Sequence, residues 1–291
     1  FRRVDPNAFD PKVRIQECDD HGVNMQVLST IPVMFSYWSK GADGHYIAQH
    51  LNDHIAQVVR DNPKRFFGLG TLPMQDVDLS LKEIERSTQT LGLKGFQIGS
   101  HINEWNLSDK RFFPIYEELE RTGAALFIHP WDMMGQERMQ KYWLPWLVGM
   151  PAETSLAICS MIFGGVFEKF PKLRVAFAHG GGSFPFTLGR IEHGFQCRPD
   201  LVAIDNKVNP RDYIGRFYVD SLVHDSKSLA YLIELFGTKQ ICLGSDYPFP
   251  LGEERPGTLI ESMQLTENEM KNLLSLSALN WLGVKESELV V

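Results

Sequence analysis

Ala125-Leu126-Phe127-Ile128-His129-Pro130 and Arg174-Val175-Ala176-Phe177-Ala178-His179-Gly180 decide how this chain is read, because each holds a short apolar run that ends on a histidine. Residues apolar on successive positions, rather than alternate ones, suit a strand buried on both faces, as in a parallel sheet covered by helices. Five further runs share the pattern: Met25–Thr30, Phe66–Pro73, Gly95–Ser100, Phe217–Val223 and Gln240–Pro248. Between the runs lie amphipathic stretches. Residues 43–61 place Ile47, Leu51, Ile55, Val58 and Val59 at helical spacing, and 77–91, 109–121, 153–170, 226–236 and 267–282 read likewise. Gly92, Gly123, Gly237 and Gly283 stand where helices usually end in a left-handed residue. Strands alternating with helices predict βαβ units, a parallel sheet and an α/β fold.

The count sharpens the fold. Asp10-Pro11 is a helix start and Gly22 a stop, which places a helix over 11–21 ahead of the first visible strand. A crossover helix must leave a preceding strand, and a (β/α)8 TIM barrel needs eight. The chain opens Phe1-Arg2-Arg3 without an initiating Met. The expectation is a single barrel domain over residues 1–291, with its first strand upstream of Phe1. A doubly wound open sheet is the alternative; it usually carries a Gly-rich turn after its first strand, and none is legible.

Composition narrows the function classes. The 291 residues are 43% hydrophobic and carry a net charge of −7, an ordinary globular core whose charge argues against nucleic acid as a partner. No stretch approaches the ~20 uncharged apolar residues of a membrane helix, and the opening residues contain no apolar targeting core. Cys18, Cys159, Cys197 and Cys242 form no CxxC pair and are expected to be reduced thiols of a cytosolic protein.

In a barrel of this type the chemistry sits at the C-terminal ends of the strands. Three of those ends read His129-Pro130-Trp131-Asp132, His179-Gly180-Gly181-Gly182 and Ser245-Asp246-Tyr247-Pro248. Imidazole and carboxylate donors suit Zn²⁺, and a catalytic zinc keeps one position for water; a histidine beside that position can move protons. His21, His45, His50, His54 and His193 read as surface or packing residues, whereas His101 and His224 stay ambiguous, with Asp225 reading as a helix N-cap. Gly180-Gly181-Gly182 lacks the Lys-Ser/Thr of a P-loop and reads as a close backbone approach beside His179. Arg2, Arg190 and Arg198 are candidates to clamp a carboxylate through bidentate bonds. Trp131, Trp143 and Trp146 crowd the segment after His129 and can exclude water or stack on a planar substrate.

Longer stretches carry a resemblance: Leu28 to Trp38, Gly68 to Gln75, His129 to Asp132, Lys141 to Thr154, Phe177 to Gly182 and Asp246 to Glu253. On these the chain resembles the 2-amino-3-carboxymuconate-6-semialdehyde decarboxylase family of the amidohydrolase superfamily, across essentially its whole length. The resemblance implies a (β/α)8 barrel with one zinc per subunit and no organic cofactor, His129 and Asp246 as metal ligands, and His179 as catalytic acid/base. It implies Arg2 and Arg190 as holders of a dicarboxylate substrate, Arg190 supplied across a homodimer interface with Arg198 nearby, and Trp143 and Phe249 as pocket walls. The strand Gly95–Gly99 carries no bridging Lys, in keeping with a single metal. The implied reaction is non-oxidative loss of CO2 in tryptophan catabolism by the kynurenine pathway, which limits quinolinate and NAD synthesis. The resemblance also implies two further zinc ligands, a His-x-His pair upstream of Phe1, on which catalysis depends. Alternatives are a decarboxylase of a hydroxybenzoate-type acid, a metal-dependent hydrolase, or a metal-free regulatory isoform.

Overall fold

The computed structural model describes residues 4–289; Arg2 lies outside them. Helix α1 (Pro11–Asp20) precedes β1 (Gln26–Leu28), α2 (Gly41–Asp61) leads to β2 (Phe66–Thr71), and α3 (Val77–Gln89) leads to β3 (Gly95–Gly99). A small hairpin, β4 (His101–Ile102) and β5 (Trp105–Asn106), comes before α4 (Phe113–Thr122) and β6 (Ala125–His129). Helices α5 (Met150–Phe163) and α6 (Val166–Lys169) lead to β7 (Val175–Phe177), and α7 (Phe184–Cys197) and α8 (Pro199–Val202) to β8 (Tyr218–Asp220). Helix α9 (Ser226–Phe236) joins β9 (Ile241–Cys242), followed by α10 (Thr258–Glu261), α11 (Glu267–Lys271) and α12 (Ser277–Leu282).

Seven strands form one sheet in the order β1-β2-β3-β6-β7-β8-β9, every pair parallel. The order follows the chain without reversal. A doubly wound sheet reverses at a switch point; a sheet wound always in one direction curls toward a barrel. All seven predicted strands are present but shorter: the run 217–223 keeps only Tyr218–Asp220, and 240–248 only Ile241–Cys242. The lost residues turn into the loops at the strand ends, where Asp246 takes a left-handed φ of 48°.

Three features differ from the sequence reading. Helix α7 had no predicted counterpart: Gly189 and Gly194 interrupt its pattern, and Pro185 sits in its first turn, where a proline is tolerated. The stretch 153–170 divides at Gly164-Gly165, with Gly165 at φ +71°, and its helix starts earlier. Pro145–Phe163 is a continuous helical segment of 19 residues with mean hydropathy 1.4, long and apolar enough by those measures to cross a membrane. Here it packs Ala157, Ile158, Met161 and Ile162 into the protein core and buries Glu153 near its middle, as a core helix does.

Strand periodicity divides the interior into two layers. Leu126, Ile128, Val175, Phe177, Val219 and Ile241 face outward into the main core beneath the helices. Leu69, Ala125, Ala176 and Cys242 face inward, where α12 closes one end with Leu279, Trp281 and Leu282. Phe127 stacks edge-on against Trp281 at 5.9 Å and against His129 at 6.3 Å. The inward row of β6 is therefore Ala125, Phe127, His129, and it carries the histidine to the opposite end of the sheet from α12.

Candidate metal centre and active site

His129, His179 and Asp246 come from the ends of β6, β7 and β9, and their ligand atoms all lie within 4.8 Å of one another. The imidazole rings of His129 and His179 meet edge to face at 5.0 Å. His129 Nδ1 donates to Pro130 O at 2.9 Å, which fixes the tautomer and leaves Nε2 as a lone-pair donor. Burial, then the neighbouring His179, pushes His129 down to about 3; burial, then His224, pushes His179 down to about 4. Both rings are therefore neutral ligands or bases at neutral pH.

Asp220, at the end of β8, organises the site. Its carboxylate accepts from His179 N and Gly180 N at 2.9 Å each and from Leu222 N at 3.0 Å. Burial nonetheless raises it to about 6, against those three donors. Asp246 is raised to about 7 by burial and then by Asp220. Two desolvated carboxyls, Asp220 disfavouring the charge of Asp246, beside two neutral imidazoles, form a donor set that a divalent cation relieves. The residues present therefore fit a divalent cation, to which His129, His179 and Asp246 each offer a ligand atom.

Backbone strain gathers at the same end. His179, His224 and Asp246 adopt φ of 57°, 58° and 48°, and Asp132, beyond β6, adopts 45°. Non-glycine residues in this region cluster at functional sites. The glycine run after His179 has a packing cause: a Cβ at Gly182 would lie 2.3 Å from Pro151 O, and its φ is +63°.

A cleft of about 390 Å³ opens beside His179 and Asp246, walled by Trp146, Met150, Phe186, Leu222, His224 and Tyr231, among others. His224, ambiguous in sequence, lines it; Asp225 caps α9 by accepting from Ser228 N at 2.8 Å. Of the other predicted residues, Trp143 packs at a tilt against Trp146 with ring centroids 5.8 Å apart, and Phe249 donates its backbone N–H to Asp246 O at 2.8 Å. Arg190 is exposed on α7. Arg198 is exposed and pairs with Asp200 at 2.7 Å, away from the cleft lining. Asp220 was missed in sequence because the run 217–223 was read as strand throughout. Ended at Asp220, it obeys the same rule as the other strand termini.

The family model described as Amidohydrolase matches residues 3–284. The 2-amino-3-carboxymuconate-6-semialdehyde decarboxylase of Dictyostelium discoideum is 62% identical over 285 residues, covering 98% of this chain and 79% of the relative. The enzyme of the same name from Caenorhabditis elegans is 39% identical over 338 residues, covering 99% and 84% respectively. Among solved structures, 5-carboxyvanillate decarboxylase from Sphingomonas paucimobilis superposes with a TM-score of 0.86 at 30% identity, covering 94% of this chain and 83% of its own.

Proposed function

From the premise that the chain belongs to the amidohydrolase family, and within it to the 2-amino-3-carboxymuconate-6-semialdehyde decarboxylases, we propose that it is a carboxy-lyase removing CO2 from that substrate. The observation that carries the reading is the convergence of His129, His179 and Asp246 at three strand ends, at the mouth where barrels of this kind do their chemistry. A divalent cation, which we take to be one zinc per subunit, supplies Lewis acidity and activates water at neutral pH. His129 and Asp246 would hold the cation. His179, neutral and fixed by the Asp220 contact to its backbone N–H, accepts a proton and returns one to the carbon that loses CO2. Trp146 and Phe186 shield the cleft from bulk water. No organic cofactor enters this scheme.

The proposal extends to a homodimer. Phe186 is 87% exposed, Leu147 and Val148 are 50% and 54% exposed, and Arg190 follows Phe186 by four residues on the same face of α7. Exposed aromatic and arginine side chains beside an apolar patch suit a buried interface. This face fits a partner copy, with Arg190 reaching a substrate carboxylate in the partner's cleft. The four unpaired cysteines fit a reducing compartment, and we place the protein in the cytosol, where its reaction diverts the substrate from quinolinate.

The test supplies purified protein that includes the His-x-His segment expected upstream of Phe1 with 2-amino-3-carboxymuconate-6-semialdehyde. CO2 release is expected, lost on chelation, restored by zinc, and carried by a species of twice the chain mass. Release of CO2 from a dihydroxybenzoate, or hydrolysis of an ester, lactone or amide, with that substrate untouched, would overturn the reading.

A further inference from the structure

His101 has no part in the scheme above, yet both of its ring nitrogens are engaged. Nδ1 lies 2.7 Å from Asn103 O, and Nε2 lies 3.0 Å from Trp131 O and 3.2 Å from Asp132 O. A carbonyl oxygen only accepts. The ring therefore faces these carbonyls as a donor and bridges the two turns that carry them. The acidic Glu153 on α5 lies beside it.

The three carbonyls have a common geometry. Asn103 lies in the β4–β5 turn at the end of β3, and Trp131 and Asp132 lie in the turn that follows His129. That turn is strained, with Asp132 at φ 45°. Two further bonds tie it down: Trp131 N donates to Ser100 Oγ at 3.2 Å, and Met134 N donates to Glu153 Oε1 at 2.7 Å. Glu153 is 2% exposed, and burial raises its carboxyl while the adjacent His101 lowers it. Pro130, the residue between the clamp and His129, supplies the carbonyl that sets the His129 tautomer.

We propose that His101 is a positioning residue for the metal centre: bridging Asn103 O to Trp131 O and Asp132 O beside buried Glu153, it clamps the turn after His129 onto the end of β3 and so fixes the ring that ligates the cation. Without the clamp, the strained turn relaxes, Pro130 O shifts, and His129 Nε2 leaves its aim. The assignment rests on His129 being a metal ligand. The outer partners of metal-bound histidines commonly account for 10–100-fold in metal affinity or activity, and His101 acts one step further out through the same carbonyl.

Two measurements on the full chain test this. Nitrogen-15 NMR of the histidine rings, with His101 identified by its loss in His101→Arg, should show a ring N–H hydrogen-bonded to a backbone carbonyl and protected from solvent exchange; a freely exchanging ring overturns the proposal. Zinc affinity by competition with a chelator, zinc being the only metal present, should fall about 10-fold or more in His101→Phe, and His101→Arg, which keeps a planar set of donors, should recover most of it. Unchanged affinity in His101→Phe overturns the clamp. A wild-type chain that binds no zinc overturns instead the metal reading beneath it. Should His101→Phe fail to fold, the wild-type spectrum and the Arg variant decide.

Discussion

The two ends of the sheet are built on opposite terms. At the mouth, the C-terminal strand ends carry His129, His179, Asp220 and Asp246, and His179, Asp246, Asp132 and His224 hold left-handed backbone that costs free energy. Buried carboxyls there are pushed up toward neutrality. At the floor, α12 presses Leu279, Trp281 and Leu282 against the inward residues Leu69, Ala125 and Ala176. The polar groups there are satisfied by backbone: Trp281 Nε1 donates to Leu126 O at 3.3 Å, and Arg174 Nε donates to Trp281 O at 2.6 Å. The difference teaches where each task is done. The floor supplies stability, and the mouth uses it to hold strained residues and unbalanced charge in place for chemistry, a division expected of barrel enzymes.

The sharpest way to break that division is at His179. Replacing it with Ala removes a base but leaves the carboxylates and His129. Turnover is expected to fall by about 10²–10⁴, with zinc still bound and the melting temperature unchanged or higher. A steady-state assay, metal analysis and a thermal melt check this. Unchanged kcat would remove His179 from the chemistry, and a collapse of stability would mean the mouth also supports the fold.

The converse experiment is Trp281→Ala. It deletes a large buried ring that touches Phe127 and donates to Leu126 O, so a loss of about 3–5 kcal/mol in denaturant unfolding is expected. At a temperature where the variant is still folded, kcat should stay within a few-fold of wild type. A large fall in kcat would mean that the Phe127–His129 stack transmits disorder from floor to mouth.

The same division explains how much could be read from sequence. Burial on both faces makes a strand apolar at every position, so all seven strands were legible, and a polar residue ending such a run stands out, as His129, His179 and Asp246 do. Asp220 did not, because Leu222 and Val223 beyond it continued the apolar run past the true strand end. Helix α7 was hidden because Gly189, Gly194 and Pro185 weaken its local pattern; tertiary packing of Phe184 and Leu188 against the core fixes it instead. His101 could not be assigned because two of its three partners, Trp131 O and Asp132 O, lie about thirty residues away in the chain. Arg2 falls outside the described residues, and the part given to Arg190 depends on a second copy, which one chain's sequence does not contain.

Arg174 offers the finest test of the floor. Its guanidinium donates to Trp281 O, to Leu282 O at 3.3 Å and to Gly123 O, gathering carbonyls that the ends of α12 and α4 leave without helical partners. Burial, the largest influence on it, lowers its pKa from the usual arginine range, so the charge is retained against a desolvation cost that these carbonyls offset. Arg174→Met keeps much of the apolar stem but leaves the carbonyls short of donors, and a loss of about 1.5–3 kcal/mol follows from removing bonds to a charged group. Because the hydrogen-bond partners of Arg174 among the described residues all lie at the floor, kcat and zinc affinity should be those of wild type. A drop in zinc affinity, measured in the same competition assay, would show that the helix ends at the floor help set the strand ends at the mouth, and the two regions would then have to be treated as one mechanical unit.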